Sequence, residues 1–112
     1  MIKVSVIYPG SASVRFDHDY YRTKHLPLIK SSMGAGLRYY AIDKGLSGAT
    51  VDSPATYVAA CHLMCDSIEV YQSSFGPHAK EIREDIRNFT DVTPIVQMSE
   101  VVVENSANQV IR

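Results

Sequence analysis

The sequence predicts an α+β fold in which four antiparallel strands form one sheet and helices cover one of its faces. Three observations support this prediction. The chain has 112 residues, the size of one domain with a single core. Strand-like and helix-like segments follow one another in the order βαββαβ, with turn residues between them. The predicted strands are apolar on both faces.

The first strand and the first helix follow from composition and capping signals. Residues 2–8 are rich in β-branched side chains and end at Pro9, which predicts a strand followed by a loop. Residues 16–28 then predict an amphipathic helix, which gives way around residues 34–36. The carboxylate of Asp17 or Asp19 can cap its first turn, where the helix dipole also favours a negative charge.

This helix carries a histidine on the face that turns toward the core. At about 100° per residue, four side chains share one arc that is roughly 100° wide. They are Tyr21, His25, Leu28 and Ile29. Pro27 cannot donate a backbone hydrogen bond, so we expect the axis to bend close to His25 if the helix continues past it.

The middle of the chain predicts two strands joined by a loop. Residues 37–44 predict the second strand and residues 57–65 the third, while Gly, Ser, Asp and Pro accumulate in residues 45–54. Cys61 and Cys65 are four apart on the third strand, so their Cα atoms would be roughly 13 Å apart, too far for a disulfide. We therefore expect free thiols in a reducing compartment.

The second helical layer is predicted in two pieces. A short helix begins at Asp66, which takes the capping role ahead of Glu69, and ends near residue 75. A longer helix begins at Pro77, and its apolar positions recur at i, i+4 and i+7. These positions are Ile82, Ile86 and Phe89, with charged residues between them.

Residues 95–104 predict the last strand and residues 105–112 a polar tail, so a single domain spans residues 1–104. The order of elements is that of the ferredoxin-like split βαβ fold. Helices cover one face of such a sheet, which leaves the apolar residues of the other face exposed. We therefore predict a homodimer in which the sheet faces of two copies pack together.

Composition and spacing argue against several partners. The formal net charge is −1 with mixed signs along the chain, which disfavours nucleic acid. The N-terminal residues lack a signal-peptide pattern and no apolar run approaches membrane-spanning length, so we expect a cytoplasmic protein without a membrane partner. Zinc-type spacing and a Gly-rich phosphate loop are absent, so we expect no metal and no cofactor.

The order of several motifs resembles the EthD family of dimeric α+β barrel proteins. These motifs are Phe16, Tyr20-Tyr21, His25 with Pro27-Leu28, Gly36-Leu37-Arg38-Tyr39-Tyr40, and Phe89-Thr90-Asp91 before the last strand. The resemblance spans nearly the whole chain, and Tyr21 stands where many relatives carry Trp. It implies a dimeric α+β barrel, in agreement with the fold and the homodimer predicted from the residues.

His25 is the main candidate for catalysis, because an imidazole titrates at about pH 6.5 and can take or give a proton in the cell. Tyr21 lies one turn earlier on the same face and can donate a hydrogen bond to a substrate oxygen. The alternative is a neutral core histidine that is bonded to a backbone carbonyl.

Four further residues are candidates for substrate binding: Tyr39, Tyr40, His62 and Asp91. The two tyrosines point to opposite faces of their strand, so at most one shares a pocket with His25. Alternation places His62 on the face that a dimer would enclose, provided that the helices cover the other face. The resemblance suggests a recurring acidic residue at the position of Asp91, which is otherwise typical of a turn.

Together with the resemblance, these residues predict a small homodimeric enzyme that needs no cofactor. It would act by proton transfer on a small cyclic or aromatic metabolite held in a mostly apolar pocket. The wider barrel group suggests isomerisation, decarboxylation or oxygenation as the reaction. The alternatives are a non-catalytic accessory or ligand-binding protein of a degradation pathway, and an EthD-type reductase.

Overall fold

The predicted α+β architecture is confirmed. The computed structural model describes residues 1–106, and four strands form one sheet. They are β1 (Ile2–Pro9), β2 (Tyr39–Lys44), β3 (Tyr57–Cys65) and β4 (Ile95–Glu100). Their order across the sheet is β2-β3-β1-β4, and each neighbouring pair is antiparallel, as the split βαβ fold requires.

Helices pack on one face of this sheet. The first helical segment, α1 (residues 18–33), joins an α-helical turn (His18–Tyr20), a π-helix (Tyr21–His25) and an α-helix (Leu26–Met33). The second helical layer consists of α2 (Ile68–Phe75), a 3₁₀ turn (Gly76–His78), α3 (Ala79–Asp85) and a second 3₁₀ turn (Ile86–Asn88). Within residues 1–106, no helix has the length and hydropathy needed to cross a membrane.

The irregularity of α1 falls beside His25, where we expected a bend. The N–H of Leu26 donates to the carbonyl of Tyr21 five residues earlier, which makes a π-helical turn. Pro27 follows directly and offers no N–H to the preceding turn. The extra residue rotates the next turn, so that Leu26 is fully buried and Leu28 is half-buried.

One predicted helix cap is corrected by the structure. Asp17 caps α1 through its carboxylate, as one of the two predicted candidates. The cap of α2 is Ser67 and not Asp66, because the Ser67 hydroxyl accepts the N–H of Val70 at 3.1 Å. The Asp66 carboxylate instead accepts a hydrogen bond from Arg38 at 2.9 Å.

The last strand is shorter than predicted. It ends at Glu100, and residues 101–106 continue outside helix and strand. The hydroxyl of Tyr39 in β2 donates to the carboxylate of Glu104 at 2.8 Å, so this segment runs from β4 toward the opposite edge of the sheet. The end of the predicted tail, residues 107–112, lies outside the described residues.

The core between the sheet and the helices is built around the ring of Phe89. This side chain is fully buried, and its centroid lies 4.6 to 6.0 Å from those of five other rings. These rings belong to Tyr8, Phe16, Tyr20, Tyr21 and His25. The carbonyl of Phe89 also accepts the N–H of Asp17 at 2.8 Å, which ties the start of α1 to the end of the second helical layer.

No helix covers the other face of the sheet in residues 1–106. A polar chain crosses its centre, where the Ser5 hydroxyl lies 2.8 Å from Nδ1 of His62 and Nε2 of His62 lies 2.9 Å from the Asp43 carboxylate. An apolar row lies beside this chain, from Ile7, Ala60 and Ile95 at paired positions. This face is therefore more mixed than the apolar pattern of the strands predicted.

Candidate active site

A cavity of about 750 Å³ lies between the helices and the sheet, next to the edge strand β4. This volume is within the range of small-molecule sites. Most of its wall is apolar and comes from Val6, Ile29, Leu63, Phe75, Ile82 and Val96. The cavity therefore suits a small hydrophobic ligand, and its few polar groups determine its chemistry.

His25 lines this cavity from the π-helical turn and is hydrogen bonded to a carboxylate behind it. Its side chain is nearly fully buried, and Nδ1 lies 2.8 Å from Oδ2 of Asp85 at the end of α3. The other oxygen, Oδ1, accepts hydrogen bonds from the Tyr20 hydroxyl at 2.7 Å and from the Asn88 amide at 2.9 Å. The carboxylate thus has three donors around it and is fixed in place.

The two pKa shifts of this pair set its protonation state. Burial lowers the pKa of His25, and the hydrogen bond with Asp85 opposes this shift without cancelling it. Burial acts to raise the pKa of Asp85, but the hydrogen bonds from Tyr20, His25 and Asn88 together lower it. At neutral pH the imidazole is therefore neutral and the carboxylate is ionised.

The proton of the neutral imidazole can be assigned from these partners. An ionised carboxylate accepts hydrogen bonds and donates none, so Nδ1 of His25 carries the proton toward Asp85. Nε2 is then unprotonated, and it makes no hydrogen bond to the described residues. A basic lone pair is therefore available on the side of the ring that faces away from Asp85.

Tyr21 lines the same wall, and its buried hydroxyl has no hydrogen-bond partner among the described residues. Its ring is stacked on that of His25, with centroids 5.6 Å apart. Among the described residues, its hydroxyl is the buried side-chain oxygen or nitrogen that lacks a hydrogen bond. Burial, and to a smaller extent the neighbouring Cys61 thiol, raises the pKa of Tyr21, so the group remains a neutral donor.

The substitution Tyr21→Phe is expected to stabilise the protein. Removing a buried hydroxyl without a partner relieves a desolvation penalty of about 1–3 kcal/mol, while the ring keeps its contacts. Urea denaturation measures the change. The matched control is Tyr20→Phe, which removes the donor to Asp85 and should destabilise the protein. Loss of stability in both variants would contradict an unpartnered Tyr21 hydroxyl.

The structure places the four predicted binding residues in different surroundings. Asp91 lies on the cavity wall, but Arg15 binds both of its oxygens, at 3.0 and 3.3 Å, and lowers the pKa of its carboxyl. Tyr39 and His62 lie on the sheet face away from the helices, as strand alternation dictates. Tyr40 packs against the core at the far edge of the sheet, off the cavity wall.

The carboxylate partner of His25 was not predicted. Asp85 is one of the charged residues that the sequence places between the apolar positions of its helix. It lies three residues after Ile82 and four before Phe89, which places it on the same stripe as those buried side chains. An acidic residue at such a spacing was the signal that could have identified it.

Thiol and metal chemistry find little support at this site. Both cysteines are free and buried, and burial raises the pKa of Cys61 on the cavity wall to about 11. A thiol with that pKa is a poor nucleophile at neutral pH. Within residues 1–106, no group of three or more His, Cys, Asp and Glu side chains is arranged to hold a metal ion.

A protein-family model and several solved structures match this chain. The model of the EthD domain matches residues 11–93. An EthD-like protein from Ralstonia eutropha JMP134 has 45% sequence identity and a TM-score of 0.88, over 94% of this chain and 95% of its own. No curated protein matches the sequence.

Two more distant structures share the fold. An ethyl tert-butyl ether degradation (EthD) family protein from Bacillus halodurans C-125 has 17% identity and a TM-score of 0.68, over 89% of this chain and 97% of its own. A protein from Mycobacterium tuberculosis has 14% identity and a TM-score of 0.57, over 94% and 97% of the two chains.

Proposed function

This chain belongs to the EthD family, and from that premise we propose that it is a proton-transfer enzyme that needs no cofactor. Its substrate would be a small cyclic or aromatic metabolite. One observation carries the proposal: His25, bonded to Asp85, lies on the wall of a mostly apolar cavity beside the unpartnered hydroxyl of Tyr21. In this proposal the imidazole is the base, and the neighbouring hydroxyl is the hydrogen-bond donor.

His25 acts as the base in this proposal. Its Nε2 takes a proton from a substrate carbon next to a carbonyl, or from a substrate hydroxyl, and the ring becomes an imidazolium. Asp85 stabilises that cation through Nδ1–H and keeps the ring in the reactive tautomer. Return of the proton to a different carbon completes an isomerisation and restores the neutral imidazole. In an oxygenation, the substrate carbanion would instead react with molecular oxygen as the second substrate.

Tyr21 supports the step by donating its hydroxyl hydrogen to the substrate oxygen. Negative charge develops on that oxygen when the neighbouring proton leaves, and a donor that is already in place stabilises it. The hydroxyl is buried and has no partner among residues 1–106, so a ligand oxygen brought within its reach would satisfy it. The stacked rings hold donor and base on the same wall.

Hydrogen–deuterium exchange tests this proposal without knowledge of the natural substrate. Unsaturated lactones and cyclic enones are incubated with the protein in D₂O, and proton NMR follows the loss of the signals next to the carbonyl. We expect exchange above the buffer rate for at least one compound. Exchange at the buffer rate throughout, with the compounds shown to bind, would indicate a binding protein instead.

We further propose that the protein is a cytoplasmic homodimer formed through the sheet face that carries no helix. Support comes from the apolar row of Ile7, Ala60 and Ile95 on that face and from the exposure of Ile95, at 54%. Ala60 is already buried, so a two-fold contact would mainly bury Ile7 and Ile95 against their copies. The free thiols of both cysteines support a reducing compartment.

Light scattering coupled to size exclusion tests the dimer. We expect a mass of twice 12.4 kDa for the protein. The substitution Ile95→Glu puts a charge into the proposed contact and should give monomers, because an unpaired buried charge is strongly unfavourable. Gln72→Glu on the exposed side of α2 adds the same charge and should leave the dimer intact. A monomeric wild-type protein would contradict the proposal.

A further inference from the structure

Two arginine side chains line the cavity without an acidic partner. Arg83 and Arg87 are four residues apart, so they project from the same side of the second helical layer. Both are exposed, which places them where the cavity meets solvent. Among residues 1–106, Arg83 makes no ion pair or hydrogen bond, and Arg87 donates through its side chain to the backbone carbonyl of Glu84 at 3.3 Å.

The carboxylate on the same wall does not neutralise them. Asp91 is bound by Arg15 through two hydrogen bonds, at 3.0 and 3.3 Å, and is occupied by that partner. Asp85 lies behind His25 and off the cavity wall, with its own three donors. The entrance is therefore locally positive although the whole chain has a formal charge of −1.

We propose that the cavity binds cyclic or aromatic carboxylates, with the ring in the apolar interior and the carboxylate at Arg83 and Arg87. This inference rests on the proposed site and names the class of its ligand. A guanidinium presents paired donors in a plane, which matches the two oxygens of a carboxylate. Beside an apolar wall that displaces water, the attraction between an arginine and a carboxylate is stronger than on an open surface.

The anchor also orients the ligand for the proposed chemistry. With the carboxylate held at the entrance, the ring extends toward Ile82 and His25 on the interior wall. In this orientation His25 contacts a ring atom of the ligand and not its carboxylate. A neutral molecule of the same shape would lack this anchor and would bind more weakly and in more than one orientation.

Binding of a matched pair of probes tests the inference. 2-Naphthoate and 2-naphthamide share their ring and nearly their shape, and differ in charge. Isothermal titration calorimetry of the full chain should show at least tenfold tighter binding of the naphthoate, with the preference reduced by added salt. The double variant Arg83→Gln/Arg87→Gln should bind both probes with similar affinity, and Arg83→Lys/Arg87→Lys should recover part of the preference.

The control is Arg22→Gln, which removes an exposed arginine of α1 that pairs with Asp19 away from the cavity. This variant should keep the full preference. Equal binding of the two probes by the wild type, no binding of either, or a preference that survives in the double glutamine variant would overturn the inference. Tighter binding of 2-naphthyl phosphate than of the naphthoate would overturn it in favour of phosphate esters.

The binding and exchange experiments test the carboxylate anchor and the proton transfer separately. Equal binding of the probes would remove the carboxylate anchor, yet exchange that depends on His25 would still support proton transfer. A clear naphthoate preference that depends on Arg83 and Arg87, without exchange, would support the anchor and contradict proton transfer.

Discussion

Replacing His25 with Ala is expected to lower the rate of substrate hydrogen exchange by about 10²- to 10⁴-fold, the contribution of a positioned base. In the wild-type protein the rate should rise with pH through the pKa of His25, because the base acts in its neutral form. Burial places that pKa below its usual range, so the rate should be nearly constant around neutral pH and fall under acidic conditions. The variant should lose this dependence.

The protein offers a matched control for this experiment. His62 is also bonded to an aspartate, Asp43 at 2.9 Å, but lies on the sheet face away from the cavity. The substitution His62→Ala should leave exchange unchanged. Circular dichroism confirms that each variant folds. Unchanged exchange in His25→Ala, or an equal loss in both variants, would contradict the assignment of His25 as the base.

Acidification should also destabilise the fold through the same pair. His25 has a lowered pKa in the folded protein, so the unfolded chain binds its proton more readily as the pH falls through the usual histidine range. Asp85 has a lowered pKa as well, and its stabilising contribution is lost at still lower pH. Both effects have the same sign, because the folded site favours the unprotonated form of each group.

Local periodicity was sufficient to predict the strands, the helices and the burial of His25. Strand alternation and helical spacing depend on neighbours within a few residues, and those neighbours are visible in the sequence. The same reasoning placed His62 on the face away from the helices. Periodicity fails where the helix changes its pitch, which is why Leu26, and not Leu28, became fully buried after the π-helical turn.

The parts of the site that were missed depend on contacts between distant segments. Asp85 is 60 residues from His25, and nothing in the local sequence around His25 specifies its partner. Tyr40 lies on the helix side of the sheet, as alternation allows, yet β2 is at the edge opposite to β4 and the cavity. The order of the strands across the sheet therefore determines which of the predicted site residues lie on the cavity wall.

The substitution Phe89→Ala is expected to give the largest loss of stability, about 3–5 kcal/mol. The ring is fully buried and contacts rings from β1, α1 and the loop before α1, so its removal leaves a cavity that several elements would have to move to fill. For a domain of this size such a loss lowers the melting temperature by about 10–30 °C. Urea denaturation with an unchanged m-value measures it directly.

Phe75→Ala is the matched control, because the Phe75 ring is half-buried and stacks on Tyr71 alone among the described aromatic rings, at 5.0 Å. It should lose less than half as much stability as Phe89→Ala. Phe89→Leu keeps most of the buried volume and should recover much of the loss. Similar losses at both phenylalanines would contradict a core centred on Phe89. Because this ring lies 4.6 Å from His25, even the folded Phe89→Ala protein should exchange substrate hydrogens more slowly.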